Sequence, residues 1–254
     1  MIDISFLESK QVFRRTYLVE TYNTSYFQTI KVSDLYKYLQ DVASQHSESM
    51  KIGYDDLKVI NGAWVLTKQL LEVIRLPKAL EEFTIHTWSH KHNKIVATRN
   101  FIITDQNKAI LVKVVSDWLV LNLEKRRIVP LSKINMDYIQ SYDYELFPQP
   151  LAKIEVIEDN LVNEFSKRVR FSDIDLNGHM NNTVYVDMVL DSMAEFFKQR
   201  HKLKQINTNF IQEVKFLEEI AIRTFQVKNN LFHHKIIRSI DNCELFTAIT
   251  EWDK

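Results

Sequence analysis

The chain sets out one order of elements twice, and this constrains its fold more than any single motif does. Lys31 to Met50 has a helical period, with Leu35, Tyr38, Leu39, Val42 and His46 three or four residues apart behind a capping candidate, Ser33. Four strand-like runs follow, Ala63 to Ile74, Glu82 to His90, Ile95 to Thr104 and Ala109 to Asn122, rich in Val, Ile, Thr, Trp and Phe. In the second half, Asn182 to Phe197 sets Tyr185, Met188, Val189, Met193 and Phe196 on a helical stripe. Strand-like runs come after it at 206–217, 219–228, 231–239 and 243–252. Glu81-Glu82-Phe83-Thr84-Ile85-His86-Thr87-Trp88 matches Glu218-Glu219-Ile220-Ala221-Ile222-Arg223-Thr224-Phe225 at an offset of 137 residues, from 81 to 218. The meanders also close alike, on Asp117-Trp118 and Glu251-Trp252. The shared order of these short matches predicts an internal duplication.

A helix wrapped by a curved antiparallel sheet buries its apolar stripe, and two such units side by side extend the sheet and cover exposed edges. The expected class is therefore α+β, with two helices against one long sheet. A length of 254 residues suits two domains of roughly 120 residues. The expected division is 1–134, a linker at 135–160, and 161–254. The polar stretch Asn135 to Asn160, with Pro148 and Pro150 and little periodicity, reads as a linker crossing the surface.

Charge and cysteine content exclude several classes of function. Lys+Arg and Asp+Glu stand at 33 each, so there is no global basic field for nucleic acid. Cys243 is the only cysteine, which rules out an internal disulfide and a thiolate cluster for a metal, and suits a reducing cytoplasm. The start, MIDISFLESKQVFRRTY, lacks the basic opening and apolar core of an export signal and reads as mature. The most apolar stretch, Ala109 to Leu123, is interrupted by Lys113 and Asp117, short of the roughly 20 apolar residues of a spanning helix.

The densest polar constellation runs from Val169 to Tyr185, bridging a strand and the start of the second helix. It contains Asp175-Leu176-Asn177-Gly178-His179-Met180-Asn181-Asn182, and Gly178 is one of only three glycines in the chain. A glycine here suits positive φ or a close substrate approach. Asn181 or Asn182 can cap the helix, whose first turn offers N–H groups and a positive dipole end to a polarised carbonyl. The combination fits acyl-transfer chemistry, although Asp, Asn and Gly are also the ordinary residues of loops.

This segment, followed by Tyr185, closely resembles the motif of acyl-acyl carrier protein thioesterases, the plant fatty-acyl enzymes and their bacterial relatives. That motif places Asp, Asn and His at alternate positions and then Asn-Asn ahead of an aromatic. Asn209-Phe210-Ile211-Gln212-Glu213-Val214-Lys215-Phe216 resembles the family's second catalytic strand, with Glu213 at the place of its catalytic glutamate. The resemblance implies a tandem double hot-dog fold, no cofactor or metal, and hydrolysis of fatty acyl-carrier-protein thioesters. It implies that Asp175 and Glu213 are the acid/base or nucleophile pair, while Asn177 and His179 position Asp175 or the carbonyl oxygen. Asn181 and Asn182, at the helix start, would meet the substrate. Many plant members carry a cysteine after that glutamate; here the residue is Val214, so a cysteine nucleophile has no counterpart.

The first half has no such pattern in its approach to the helix, Glu20 to Ile30. By resemblance it shapes the acyl-chain pocket, for which Trp64, Leu39, Val42 and Ala43 are candidates, although each also reads as ordinary core. His90-Lys91-His92 and His233-His234 lack the further convergent ligands of a metal site. Arg14-Arg15, Lys125-Arg126-Arg127 and Lys167-Arg168 with Arg170 read as solvated strand ends or as a dock for the acidic helix of acyl carrier protein. The expected partner is that carrier protein bearing a fatty acyl chain, with no nucleic acid, no membrane span, and a homodimer left open. The runner-up reading is an acyl-CoA thioesterase, and a non-catalytic acyl-binding module follows it.

Overall fold

Two stretches of chain that each contain one long helix and a meander fold as separate units in a computed structural model, which describes residues 4–134 and 141–253. The first unit is Met1–Gln69 with Val73–Leu151; the second is Leu70–Glu72 with Ala152–Lys254. The start of the expected linker, 135–140, lies outside the described residues, as do the first residues of the N-terminal reading, 1–3.

In the first unit, strand β1 (Phe13–Leu18) precedes helix α1 (Val32–Ser49) and a short helix α2 (Tyr54–Lys58). The strands β2 (Gly62–Val73), β3 (Glu82–His92), β4 (Ala97–Asp105), β5 (Ile110–Asn122) and β6 (Arg127–Val129) complete it. The sheet order is β1-β3-β4-β5-β2, with β6 beside β5. Leu35, Leu39, Val42, Ala43 and His46 are buried along α1, as the 3.6-residue period requires. Tyr17 on β1 and Phe83 on β3 pack on Tyr38 of α1, at ring-centroid distances of 4.7 and 5.5 Å. Ser33 is not the cap: Lys31 precedes the helix and Ser33 is buried inside it.

The second unit repeats the plan with β7 (Leu161–Arg168), α3 (Asn182–Asp191), α4 (Glu195–Arg200), β8 (Lys202–Phe210), β9 (Glu219–Lys228), β10 (Leu231–Arg238) and β11 (Glu244–Asp253). Its sheet order is β7-β9-β10-β11-β8, element for element the order of the first unit. Each unit has the hot-dog arrangement, a helix wrapped by an antiparallel sheet. Tyr185 of α3 stacks on Phe246 of β11 at 5.2 Å and meets Phe210 of β8 edge-on at 5.8 Å.

Three expectations are corrected. The second helix breaks at Ser192, because its carbonyl is taken by Asn163 Nδ2 at 2.7 Å instead of a helical amide; Phe196 beyond the break is exposed rather than on the buried stripe. Strand β8 spans Lys202–Phe210 instead of 206–217, since the Ile211 and Gln212 amides both turn to Leu245 O and the chain leaves the ladder. The described part of the linker is also packed. Tyr142, Tyr144 and Leu146 lie on a cluster of Leu7, Val12, Trp88 and Ile102, and Ile154 is buried with its amide on Asn209 Oδ1.

Each unit holds a buried, neutral histidine. Arg99 on β4 donates to His46 Nδ1 at 2.7 Å, so that nitrogen must keep its lone pair. His234 is fully buried among Thr224, Thr250 and Ser192, at 3.0, 2.9 and 3.4 Å. Burial, with the nearby Arg99 charge, pushes His46 down to about 3. Burial, with His233 beside it, pushes His234 down to about 3. A base whose pKa is lowered by folding binds more protons when unfolded, so stability is highest above the unfolded pKa and falls as pH drops from about 6.5 toward 3. The unfolding free energy from urea titration should decline between pH 7 and pH 5 by about 2 kcal/mol for each such histidine, and the midpoint with it. A midpoint constant over that range would contradict the neutral burial of both.

Candidate active site

The polar loop before α3 is built by backbone hydrogen bonds that the first unit repeats with other side chains. Asp175 N–H donates to His179 O at 2.8 Å, and Gly178 N–H to Asp175 O at 3.0 Å. At the corresponding places Ser25 N–H donates to Thr29 O at 2.7 Å, and Gln28 N–H to Ser25 O at 3.0 Å. Gly178 has φ of 79° and Gln28 has φ of 57°, so the turn needs a left-handed residue in both units. Asn181 N–H reaches Asp173 O at 2.8 Å, as Lys31 N–H reaches Asn23 O at 2.9 Å. The loop scaffold is common to both units, and Asp175 and His179 stand at the places of Ser25 and Thr29.

A second crosslink brings the glutamate to the histidine. Met180 N–H donates to Val214 O at 2.8 Å, which fixes the residue after His179 against the residue after Glu213. His179 Nε2 then lies 3.1 Å from Glu213 Oε2, with the side chains 19% and 25% exposed, shielded but reachable. In the first unit Ile30 N–H donates to Pro77 O at 2.9 Å, and the place of Glu213 is held by Leu76. Glu213 sits in the irregular segment after β8, not in a strand as expected. Tyr185 O–H donates to Gln212 O at 3.4 Å beside it; burial first, and the Glu213 charge second, raise the Tyr185 pKa above its ordinary value and keep that donor protonated.

The other sequence candidates are placed less uniformly. Asp175 is half-buried, and its Oδ1 accepts the Asn177 amide at 2.8 Å and the His179 amide at 3.4 Å. Asn177 is exposed. Asn181 is the cap of α3: its Oδ1 takes Thr183 N at 2.9 Å and Thr183 Oγ1 at 2.8 Å. Val184 N–H goes to Asn181 O, which leaves the Asn182 amide as the donor of the first turn without a partner among the described residues. Leu39, Val42 and Ala43 share the buried face of α1. Trp64 belongs elsewhere in that unit, with Leu57, Val120 and Leu131, its Nε1 on Ile52 O at 2.8 Å.

Sequence reasoning missed Asp173. It is buried, its Oδ2 takes the Arg170 amide at 2.8 Å, and Lys167 pairs with it at 3.0 Å, so this carboxylate holds the loop in shape. Its spacing three residues after Arg170, at the mouth of a turn, was the available signal. His90 and His233 touch linker backbone, through Tyr142 O at 3.3 Å and the Ile157 amide at 3.0 Å. Cys243 is half-buried in the β10–β11 turn, with its Sγ on Glu244 O.

Residues 10–142 match the acyl-ACP thioesterase N-terminal domain, and residues 154–254 the acyl-ACP thioesterase C-terminal domain. The chain belongs to the acyl-ACP thioesterase family. It is 25% identical over 228 residues to the oleoyl-acyl carrier protein thioesterase, chloroplastic, of Coriandrum sativum, covering 82% of this chain and 61% of that one. It is 24% identical over 271 residues to the acyl-[acyl-carrier-protein] hydrolase FATB1, chloroplastic, of Cuphea viscosissima, covering 98% and 63%. The chain thus spans under two thirds of the length of these plant relatives. Among solved folds it resembles an acyl-ACP thioesterase from Bacteroides thetaiotaomicron, with a TM-score of 0.87, 20% identity and coverage of 96% and 98%. It also resembles the 12:0-ACP thioesterase from Umbellularia californica, with a TM-score of 0.86, 17% identity and coverage of 96% and 98%. No helix among the described residues is long and apolar enough to cross a membrane.

The loop's use of glycine is testable. An added Cβ at Gly178 meets nothing within 4 Å, so only the backbone conformation opposes a side chain. Gly178→Ala should cost about 1 kcal/mol, and Gly178→Asn less, because Asn tolerates the left-handed region. Urea unfolding measures both. A loss above about 3 kcal/mol would exceed the roughly 1–2 kcal/mol cost of a left-handed alanine and would contradict the open space around this position.

Proposed function

We propose that the chain hydrolyses fatty acyl thioesters of acyl carrier protein, releasing free fatty acid and ending its synthesis. The observation that carries this reading is the His179–Glu213 pair at 3.1 Å, present in one repeat on a loop that both repeats share. A thioester carbonyl is already electrophilic and a thiolate leaves readily, so an activated water suffices as the attacking group. Glu213, held by His179, is the base that takes the water's proton. The same proton can return to the departing sulfur through the imidazole. Asp175, with one oxygen engaged by backbone amides, orients the loop and the attacking water; Asn177 contacts the reacting carbonyl once substrate is bound. The Asn182 amide and the dipole of α3 favour the developing oxyanion.

In this reading the C-terminal repeat, 161–254, performs turnover. The first, 1–134, shapes the acyl-chain pocket with Leu39, Val42 and Ala43, Trp64 packing apart from them, and 135–160 joins the two. Cys243 takes no part. A single half-buried cysteine accords with a reducing compartment, and the cytoplasm is the one we assign.

Removing a positioned acid/base group costs on the order of 10²- to 10⁴-fold in rate. Glu213→Gln and Asp175→Asn should each lose turnover on acyl carrier protein substrates while keeping the wild-type melting temperature, and Cys243→Ser should retain full activity. Near wild-type turnover in both carboxylate variants would place the reacting groups elsewhere.

A further inference from the structure

The three basic runs of the sequence have different fates in the structure. Arg14 is ion-paired with Glu8 at 2.7 Å, and Arg15 donates to Gln45 at 2.6 Å. Lys125, Arg126 and Arg127 are exposed around the β5–β6 turn of the first unit. Arg168 and Arg170 flank the site loop itself. Val169 between them is buried and tied to the segment that follows Glu213, its amide to Glu218 O at 2.9 Å and its carbonyl accepting from Leu217 N at 3.1 Å. This locks the backbone that carries the arginines beside the Glu213 segment, where exposed Lys215 lies. None of these three cations forms an ion pair with a described residue. The nearby acids are otherwise engaged, Asp173 by Lys167 and Glu218 by Arg238, while Glu219 faces Arg168 across the ladder without pairing.

The same segments expose an apolar collar. Phe171 is 80% exposed, Leu176 81% and Phe216 48%, and the two phenyl rings meet edge to face at 6.2 Å. Water-exposed aromatics around a site are unfavourable unless something covers them in use. The duplication supplies an internal control. Leu176 and Lys215 have counterparts in the first unit, exposed Tyr26 and Lys78, and that loop also exposes Tyr22 and Phe27, so an apolar rim and one cation are common to both repeats. The positions of Arg168, Arg170, Phe171 and Phe216 are held there by Leu18, Glu20, Thr21 and Ala79. What distinguishes the repeat that holds the His179–Glu213 pair is therefore the two arginines, set beside an aromatic pair at positions where the first repeat has Thr21 and Ala79.

We infer that this collar is the docking surface for the acyl carrier protein itself. Carboxylates of an acidic helix on the carrier meet Arg168, Arg170 and Lys215, and its apolar residues cover Phe171 and Phe216, which aims the thioester arm at Glu213. The inference rests on the thioesterase reading. Charge complementarity supplies encounter rate and register, and the aromatic pair supplies the desolvated centre. Arginine suits the role because its planar fork meets a carboxylate with two hydrogen bonds.

The test compares one acyl group on three carriers: acyl carrier protein, coenzyme A and N-acetylcysteamine. Wild type is set against Arg168→Glu with Arg170→Glu, and against Phe171→Ser with Phe216→Ser. Each double variant should raise KM for the carrier-protein substrate about tenfold or more, with kcat/KM on the N-acetylcysteamine thioester within about twofold of wild type. For wild type, added salt should raise the carrier-protein KM, and in the arginine variant this dependence should flatten. An unchanged carrier-protein KM overturns the inference, as does an equal rise for coenzyme A, which would mean that the arginines read the arm's phosphate. If wild type hydrolyses none of the three, the thioesterase reading fails, and calorimetric titration with holo acyl carrier protein decides the docking question. Binding by wild type that the arginine variant loses supports the surface; equal binding, or none, overturns it.

Discussion

The site depends on one backbone hydrogen bond, Met180 N–H to Val214 O at 2.8 Å. It joins the loop before α3 to the segment after β8, two stretches of chain more than thirty residues apart in sequence. Neither is a regular element. Without that bond His179 and Glu213 would hang on independent loops, each with its own conformational freedom to lose when substrate binds. With it, the loss is met during folding, by a buried backbone pair that must form in any case because an unpaired buried amide is costly. The bond is common to both repeats: Ile30 N–H to Pro77 O makes the same link in the first unit, where Thr29 and Leu76 stand at the places of His179 and Glu213.

The duplication therefore separates scaffold from function within one molecule. Whatever both repeats share is structural: the left-handed turn residue, the amide that Asp175 or Ser25 donates to the carbonyl of His179 or Thr29, and the turn closed by Glu218 or Glu81 on the amides of Lys215 or Lys78. Whatever differs is a candidate for chemistry or recognition. By this criterion Asp175, His179 and Glu213 stand out. Asn181 is intermediate, since it caps its helix through a side-chain bond that Lys31 does not make in the first unit. The buried histidines follow the same division. His46 and His234 occupy unlike networks, one beside a guanidinium and one among hydroxyls, and each serves its own core.

Much of this was legible in the sequence because it rests on local periodicity. The α1 stripe from Leu35 to His46, the meanders and the matched segments at 81 and 218 all express spacings that a single chain displays. The cap at Asn181 was legible for the same reason, since capping is local chemistry. What was not legible depended on partners distant in sequence. Strand β8 ends at Phe210 because Leu245 O takes two amides, and the second helix stops at Ser192 because Asn163 claims a carbonyl. The apolar face that receives Tyr142 and Tyr144 is likewise a tertiary fact, so a segment that reads as surface linker packs on Trp88. Phe171 and Phe216 show no pattern in one dimension, and their exposure becomes meaningful only beside the first repeat.

The central claim is that His179 and Glu213 act as one unit. A double-mutant cycle on single-turnover hydrolysis of an acyl carrier protein thioester tests it most directly, with His179→Ala, Glu213→Gln and both together in protein of unchanged melting temperature. Groups that share one function lose it once, so the double variant should be no slower than the slower single variant. Losses that multiply across the two substitutions would show that the residues act independently, and the 3.1 Å pair would then be a structural contact rather than the catalytic one.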